Sequence, residues 1–446
     1  MKFLSSLTTS LMLGAATIAV ATVPAAVAAK EKKSKAPQIK PSKGFIAPYQ
    51  DGLAKIEAAD AAGVAAAGAA MNAAIEKPDD SYLLGNFYMT AGTKLNDPAT
   101  TIKGLDLLIA SELTLPADRQ ILHFQKGAQA FNGLKNYSIA AQSFAKAYEL
   151  GLRRGDVEVN AANSYTLLND HNNAIKWLKI AADAKTAAGE AVPDQLYRLM
   201  ATNANKSNNP VMLADTMQYI VTQKPTNDYW HDAVVLYLRA QDLNSQDKLD
   251  LLRLMRETKT LRYPQQYSEY AEMADARRYP AEVAAVLDEG FASGIIKRSD
   301  VAFSDDYNAA KGRIAGIRSS WDRDETEAMG SSKGYLALLT GDAMLAGGDY
   351  PRATKLYEVA LQKGSIIDSS GKNQNDRAAV RLGIALVKQG RYADAKAALA
   401  KATSATGREI ADFWTAYANN KISGKTSAAA PAAAEVEADA TVDAAQ

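Results

Sequence analysis

The stretch GGDYPRATKLYEVALQKG, residues 347–364, sets Ala353, Tyr357 and Ala360 at i, i+4 and i+7 just behind a Gly-Gly-Asp-Tyr turn. Almost the same figure returns in KQGRYADAKAALAKA at 388–402. Residues three and four apart share one face of a helix, so two small side chains flank a large one on a single stripe. A second helix can approach closely over the alanines while the tyrosine fills the space beside them. Position 353 is a packing site.

Working outward, Gly341 and Met344 precede this stripe at a fixed distance. Ala128, Phe131, Ala140, Phe144 and Ala147 repeat the whole template. So do Ala162, Tyr165, Ala174, Leu178 and Ala181, and again Gly383, Leu386, Ala395, Leu399 and Ala402. Weaker copies run through Ala201, Ala204, Leu213, Met217 and Ile220, and through residues 266–293. Between them Ala, Leu, Lys, Gln and Glu dominate, with apolar residues at spacings of three and four and few alternating β-branched runs. That periodicity predicts amphipathic helices of about 12–15 residues. Short turn clusters such as GLKNY, LNDHNN and QKPTND separate them, which implies antiparallel helix pairs.

Ala140 to Ala174 is 34 residues, and the five positions together resemble the tetratricopeptide repeat family. The resemblance implies an all-α fold, an α-solenoid of stacked antiparallel helix pairs over 45–422. Its best repeats fall at 121–154, 155–188, 334–367 and 376–409. Ala353 to Ala395 is 42 residues, so SIIDSSGKNQ adds a longer loop there. Residues 294–333 are the least repeat-like.

The two ends differ from this body. Residues 1–29 carry Lys2, an apolar run and a small-residue end, the signature of a secretory signal peptide. A basic Lys/Pro linker, 30–44, follows. Residues 423–446 hold only Val436 and Val442 as large aliphatics, which predicts a disordered, Ala-rich acidic tail. Lys and Arg number 51 against 50 Asp and Glu, so the basic excess that nucleic acid requires is missing. There is no cysteine, hence no disulfide and no thiolate chemistry. After the first 29 residues no stretch is apolar enough to span a bilayer.

Catalytic motifs dissolve on inspection. Gly330-Ser331-Ser332-Lys333-Gly334 has the spacing of a nucleophile elbow, but helical sequence flanks it and no histidine follows it. His123, His171 and His231 are too far apart for a metal-binding pair on one helix. The acidic run DRDETE, 322–327, lacks the central glycine of a calcium loop. No cofactor, metal or catalytic residue is expected.

What remains is surface. In the family, the first helix of each unit lines a concave groove that receives an extended peptide or a partner's helix. Carried onto this sequence, those positions are Gln125, Gln129 and Asn132, then Asn160, Asn163 and Thr166, then Arg198, Thr202 and Asn205. Amide side chains donate and accept, so they suit a peptide backbone of any sequence, while Arg198 suits a carboxylate. The matching C-terminal strip is apolar, with Tyr335, Leu338, Leu345, Val380, Ile384 and Val387. The last helix, 408–421, is expected to cover it. The function expected is a non-catalytic protein- or peptide-binding scaffold or adaptor in the bacterial cell envelope, periplasmic after export. The alternatives are a periplasmic peptidoglycan-acting enzyme built on a helical solenoid and a purely structural spacer.

Overall fold

The computed structural model describes residues 39–154 and 156–425. The signal-peptide and tail expectations therefore lie outside the described residues, apart from 423–425. Residues 39–44 of the expected linker are seen, and Lys43 already begins a helix.

Among the described residues, twenty α-helices form nine pairs and two unpaired helices. The first pairs are α1 (Lys43–Glu57) with α2 (Ala61–Ala73) and α3 (Pro78–Lys94) with α4 (Pro98–Ala110). Next come α5 (Pro116–Ala128) with α6 (Tyr137–Glu149), and α7 (Val157–Leu167) with α8 (His171–Ala187). The middle pairs are α9 (Asp194–Lys206) with α10 (Pro210–Gln223), and α11 (Asn227–Ala240) with α12 (Ser245–Glu257). They end with α13 (Pro264–Ala274) and α14 (Pro280–Ser293). A lone helix, α15 (Val301–Gly330), follows, then α16 (Gly334–Gly347) with α17 (Tyr350–Lys363). Last are α18 (Asn375–Lys388) with α19 (Tyr392–Leu399), and α20 (Ala405–Ile422) by itself. The fold is an α-solenoid.

One local device makes most of the pairs. Ala59, Asn96, Lys135, Asn169, Asn208 and Gly348 all take left-handed φ values, from 50° at Asn208 to 85° at Gly348, each at the end of a first helix. The very next residue, Asp60, Asp97, Asn136, Asp170, Asn209 or Asp349, caps the second helix by accepting a first-turn N–H. The left-handed residue stops one helix and the short acidic or amide side chain starts the next, so the chain reverses in two residues.

Close approach follows at the template positions. A Cβ on Gly341 would stand 3.0 Å from the ring of Tyr357, and one on Gly383 would stand 2.5 Å from Leu399. In the unit beginning at 121 the small residue is Gly127, whose Cβ would lie 2.8 Å from Phe144. The sequence template put Ala128 there. The extra residue is absorbed by a π turn, Gln129–Gly133, which continues α5.

Ala353 is fully buried, as are Tyr357 and Ala360. Ala353→Leu is expected to overpack the α16–α17 contact at a cost of about 1–3 kcal/mol. The same side chain at exposed Glu358 should change stability by about 0.5 kcal/mol or less. Equal shifts in denaturant midpoint at the two sites would overturn this register.

Two cores result. A small one joins α1, α2 and α3 through Phe45, Met71, Leu84 and Phe87. The large one runs from Ile102 to Ala418 without a break. The start of α1 is strapped to α3, within the small core, by Asp80, fully buried, which accepts from Ser42 N at 2.8 Å and Ser42 Oγ at 2.6 Å. Helix α15 buries one stripe, including Phe303, Ala310 and Ala328, and exposes most of the rest. No helix of the described residues is long and apolar enough to cross a membrane.

Candidate peptide-binding site

Two strips of first-helix residues were candidates, and the structure treats them in opposite ways. The C-terminal strip is filled. Leu338, Leu345, Val380, Ile384 and Val387 are all buried. Helix α20 packs against α18, as the sequence suggested, but it is not a lid on its own. It stands as a further wall, and more cover comes from earlier in the chain, where α14 packs on α16, α12 on α18 and α20, and α10 on α20. Trp414 Nε1 donates to Asp250 O at 3.1 Å, and Asn420 Nδ2 donates to Val221 O at 2.8 Å. Tyr417 OH reaches Glu257 Oε1 at 3.0 Å, and Lys388 pairs with the same carboxylate. The chain folds back, so its own second helices occupy the inner face of its last repeats.

The seam between the two layers is charged. Arg381, fully buried, joins Asp250 at 3.0 Å to Asp342 at 2.7 Å. Arg377 also pairs with Asp342, and Tyr357 OH donates to it at 2.8 Å. Arg253 binds Asp250 at 2.7 Å and Glu282 at 2.6 Å, and Tyr270 OH donates to Glu282 at 2.8 Å. Three guanidiniums thus face three carboxylates. Burial pushes Asp342 toward its neutral form, yet Arg377 and Arg381 outweigh that and hold it down to about 2. Burial and Arg253 act on Glu282 in the same opposed way, with the same result, about 2. At the edge of the seam, burial and then Asp250 push Asp247 up to about 6.

The other strip lies along α5, α7 and α9, and its residues fare differently. Gln129 opens the π turn and so leaves the register that carried it into the groove. Asn160 and Asn163 sit half-buried on α7. Thr166 Oγ1 donates to Asn203 Oδ1 at 3.3 Å, and His171 Nδ1 lies 2.9 Å from that oxygen, so the ends of α7 and α9 are tied together. Arg198 is exposed, but Asp194 Oδ2 holds its Nε at 2.7 Å. Asp194 also takes Lys224 at 2.6 Å and Tyr229 OH at 2.8 Å; despite its burial these donors keep it at about 2. The guanidinium expected to meet a carboxylate already has one.

Asn205 lines a cleft of about 350 Å³ at the junction of α9, α10 and α11. Around it stand Asn208 and Asn209 from the turn, Pro210 and Leu213 from α10, and Leu236 and Arg239 from α11. Sequence reasoning missed Asn208, Asn209 and Arg239. The recurring left-handed residue followed by an Asx cap would have located the two asparagines; nothing in the spacing points to Arg239.

Residues 344–419, from the end of α16 into α20, match the family model described as Tetratricopeptide repeat. No curated protein matches the chain. Among solved structures it is similar to a chain of the APC/C hetero-tetramer Cut9-Hcn1, at 13% identity and a TM-score of 0.20. That likeness covers 82% of this chain and 65% of the other, less than two thirds of its length. Yeast Tom70 is similar at 10% identity and a TM-score of 0.20, over 85% of this chain and 96% of that one.

Proposed function

We propose that this chain, a helical solenoid whose residues 344–419 match the tetratricopeptide repeat model, is a non-catalytic scaffold that holds an extended segment of another protein. The observation that supports the reading most is the asymmetry of its two inner faces. The C-terminal face is spent on the chain's own α10, α12 and α14, whereas the row α7, α9 and α11 keeps half-buried and exposed amides and an open cleft. Binding therefore falls to Asn160, Asn163 and Asn205, with Gln129 and Arg198 at the margins. Residues 1–29 support export, and with it a place for the scaffold in a bacterial envelope, in assembly or secretion.

The test uses an extended peptide selected from a display library against the full chain. Asn160→Ala with Asn163→Ala removes two amide contacts of about 0.5–1.5 kcal/mol each, so affinity should fall roughly 5- to 150-fold. Calorimetry reads the affinity, and circular dichroism checks that the variant is folded. A folded double variant that binds every selected peptide as the wild type does would remove the strip from consideration.

A further inference from the structure

We propose that the cleft between α9, α10 and α11 is a carboxylate site, in which Arg239 reads one acidic side chain of the bound segment. The proposal rests on the scaffold reading and adds what the scaffold selects.

The cleft, at about 350 Å³, falls in the size range of small-ligand sites. Its cation is exposed and uncommitted: Arg239 makes no ion pair among the described residues. Every other arginine from α9 to α13 is paired. Arg198 holds Asp194 at 2.7 Å, Arg262 holds Asp228 at 2.7 Å and Arg256 holds Glu289 at 2.6 Å. The side chains of Asn205 and Asn208 also make no hydrogen bond among the described residues. Asn209 uses its Oδ1 to cap Met212 N at 3.2 Å, which leaves its amide nitrogen as a donor. A guanidinium and three amides offer more donors than one carboxylate has lone pairs, and the charged partner makes those bonds short and strong.

Charge selects within the anions. One guanidinium balances one carboxylate, whereas a phosphate would bring a second, uncompensated charge. Pro210, Leu213 and Leu236 supply an apolar wall for the methylenes of the acidic side chain. The same wall disfavours a small, fully hydrated ion.

The experiment takes the full chain with ¹⁵N-labelled arginine and follows the Nε–H resonance of Arg239 by NMR. The probes are N-acetyl-glutamate N-methylamide, its glutamine counterpart and inorganic phosphate. A saturable shift with the glutamate probe alone is expected, retained in Arg198→Gln. A selected peptide carrying an acidic residue should bind Arg239→Gln about 10- to 100-fold more weakly than wild type. No saturable shift, an equal shift with the glutamine probe, or tighter binding of phosphate would overturn the assignment. The two readings separate cleanly. Peptide affinity lowered by the Asn160/Asn163 double change but not by Arg239→Gln keeps the scaffold and sinks the carboxylate site. The glutamate shift at Arg239 with no effect of the double change does the reverse.

Discussion

Arg381→Ala is expected to cost about 3–5 kcal/mol, because it leaves two buried carboxylates, Asp250 and Asp342, without their shared partner. Both sit in the seam with almost no exposure, so water cannot replace the guanidinium. The variant should also be more acid-sensitive. Asp342 and Glu282 have folded-state pKa values of about 2, below the values of about 4 in an unfolded chain. Their contribution is present above pH 4 or so and is lost as pH falls toward 2. Removing Arg381 takes away part of what depresses Asp342, so the acid loss should begin at higher pH. Urea melts at neutral pH and a pH series followed by circular dichroism measure both effects. A loss below about 1 kcal/mol would mean that the seam is open to solvent.

Trp414→Ala should be nearly as severe, at about 3–5 kcal/mol. Trp414 is fully buried, and its indole N–H satisfies Asp250 O across the seam. Truncation leaves a large cavity between α20 and α12 and orphans a buried carbonyl. The result discriminates two roles for the last helix. A lid over one strip could lift away at small cost, whereas a wall of the folded-back layer cannot. Hydrogen exchange should show lost protection in α12 and α18 as well as in α20. Loss confined to α20 would return it to the role of a lid.

Much of the architecture was legible before any coordinates. The spacing of Ala353, Tyr357 and Ala360 names a helix face, and its return in register names a repeat, since both follow from the fixed geometry of the α-helix. Asn160 and Asn163 came instead from the resemblance to the repeat family, whose first helices line the groove; their spacing of three says only that they share a helix face. Of the turns Asn96-Asp97, Asn169-Asp170 and Asn208-Asn209, only the second falls in a turn cluster read from the sequence; the other two carry the same mark, and Ala59-Asp60 extends the device back to the α1–α2 pair. Register was less secure. The π turn after Ala128 shifts Gln129, and one extra residue in a helix has no mark in an apolar pattern.

Sequence by itself thus determined the helices, their pairing and the stripe each one buries, because those depend on neighbours within a few residues. Only the tertiary structure decided which inner face is open. Arg381 and Asp250 are 131 residues apart, and no periodicity in either helix says that they meet. The apolar strip Val380, Ile384 and Val387 reads the same whether a partner or the chain itself will cover it. Which of the two happens depends on the summed curvature of the intervening pairs and on α15, and small rotations at each junction accumulate into a fold-back that no local pattern encodes. The same holds for the cleft. Arg198 looked like the free cation until Asp194 was found bound to it, and Arg239 became one only when three helix ends converged around it.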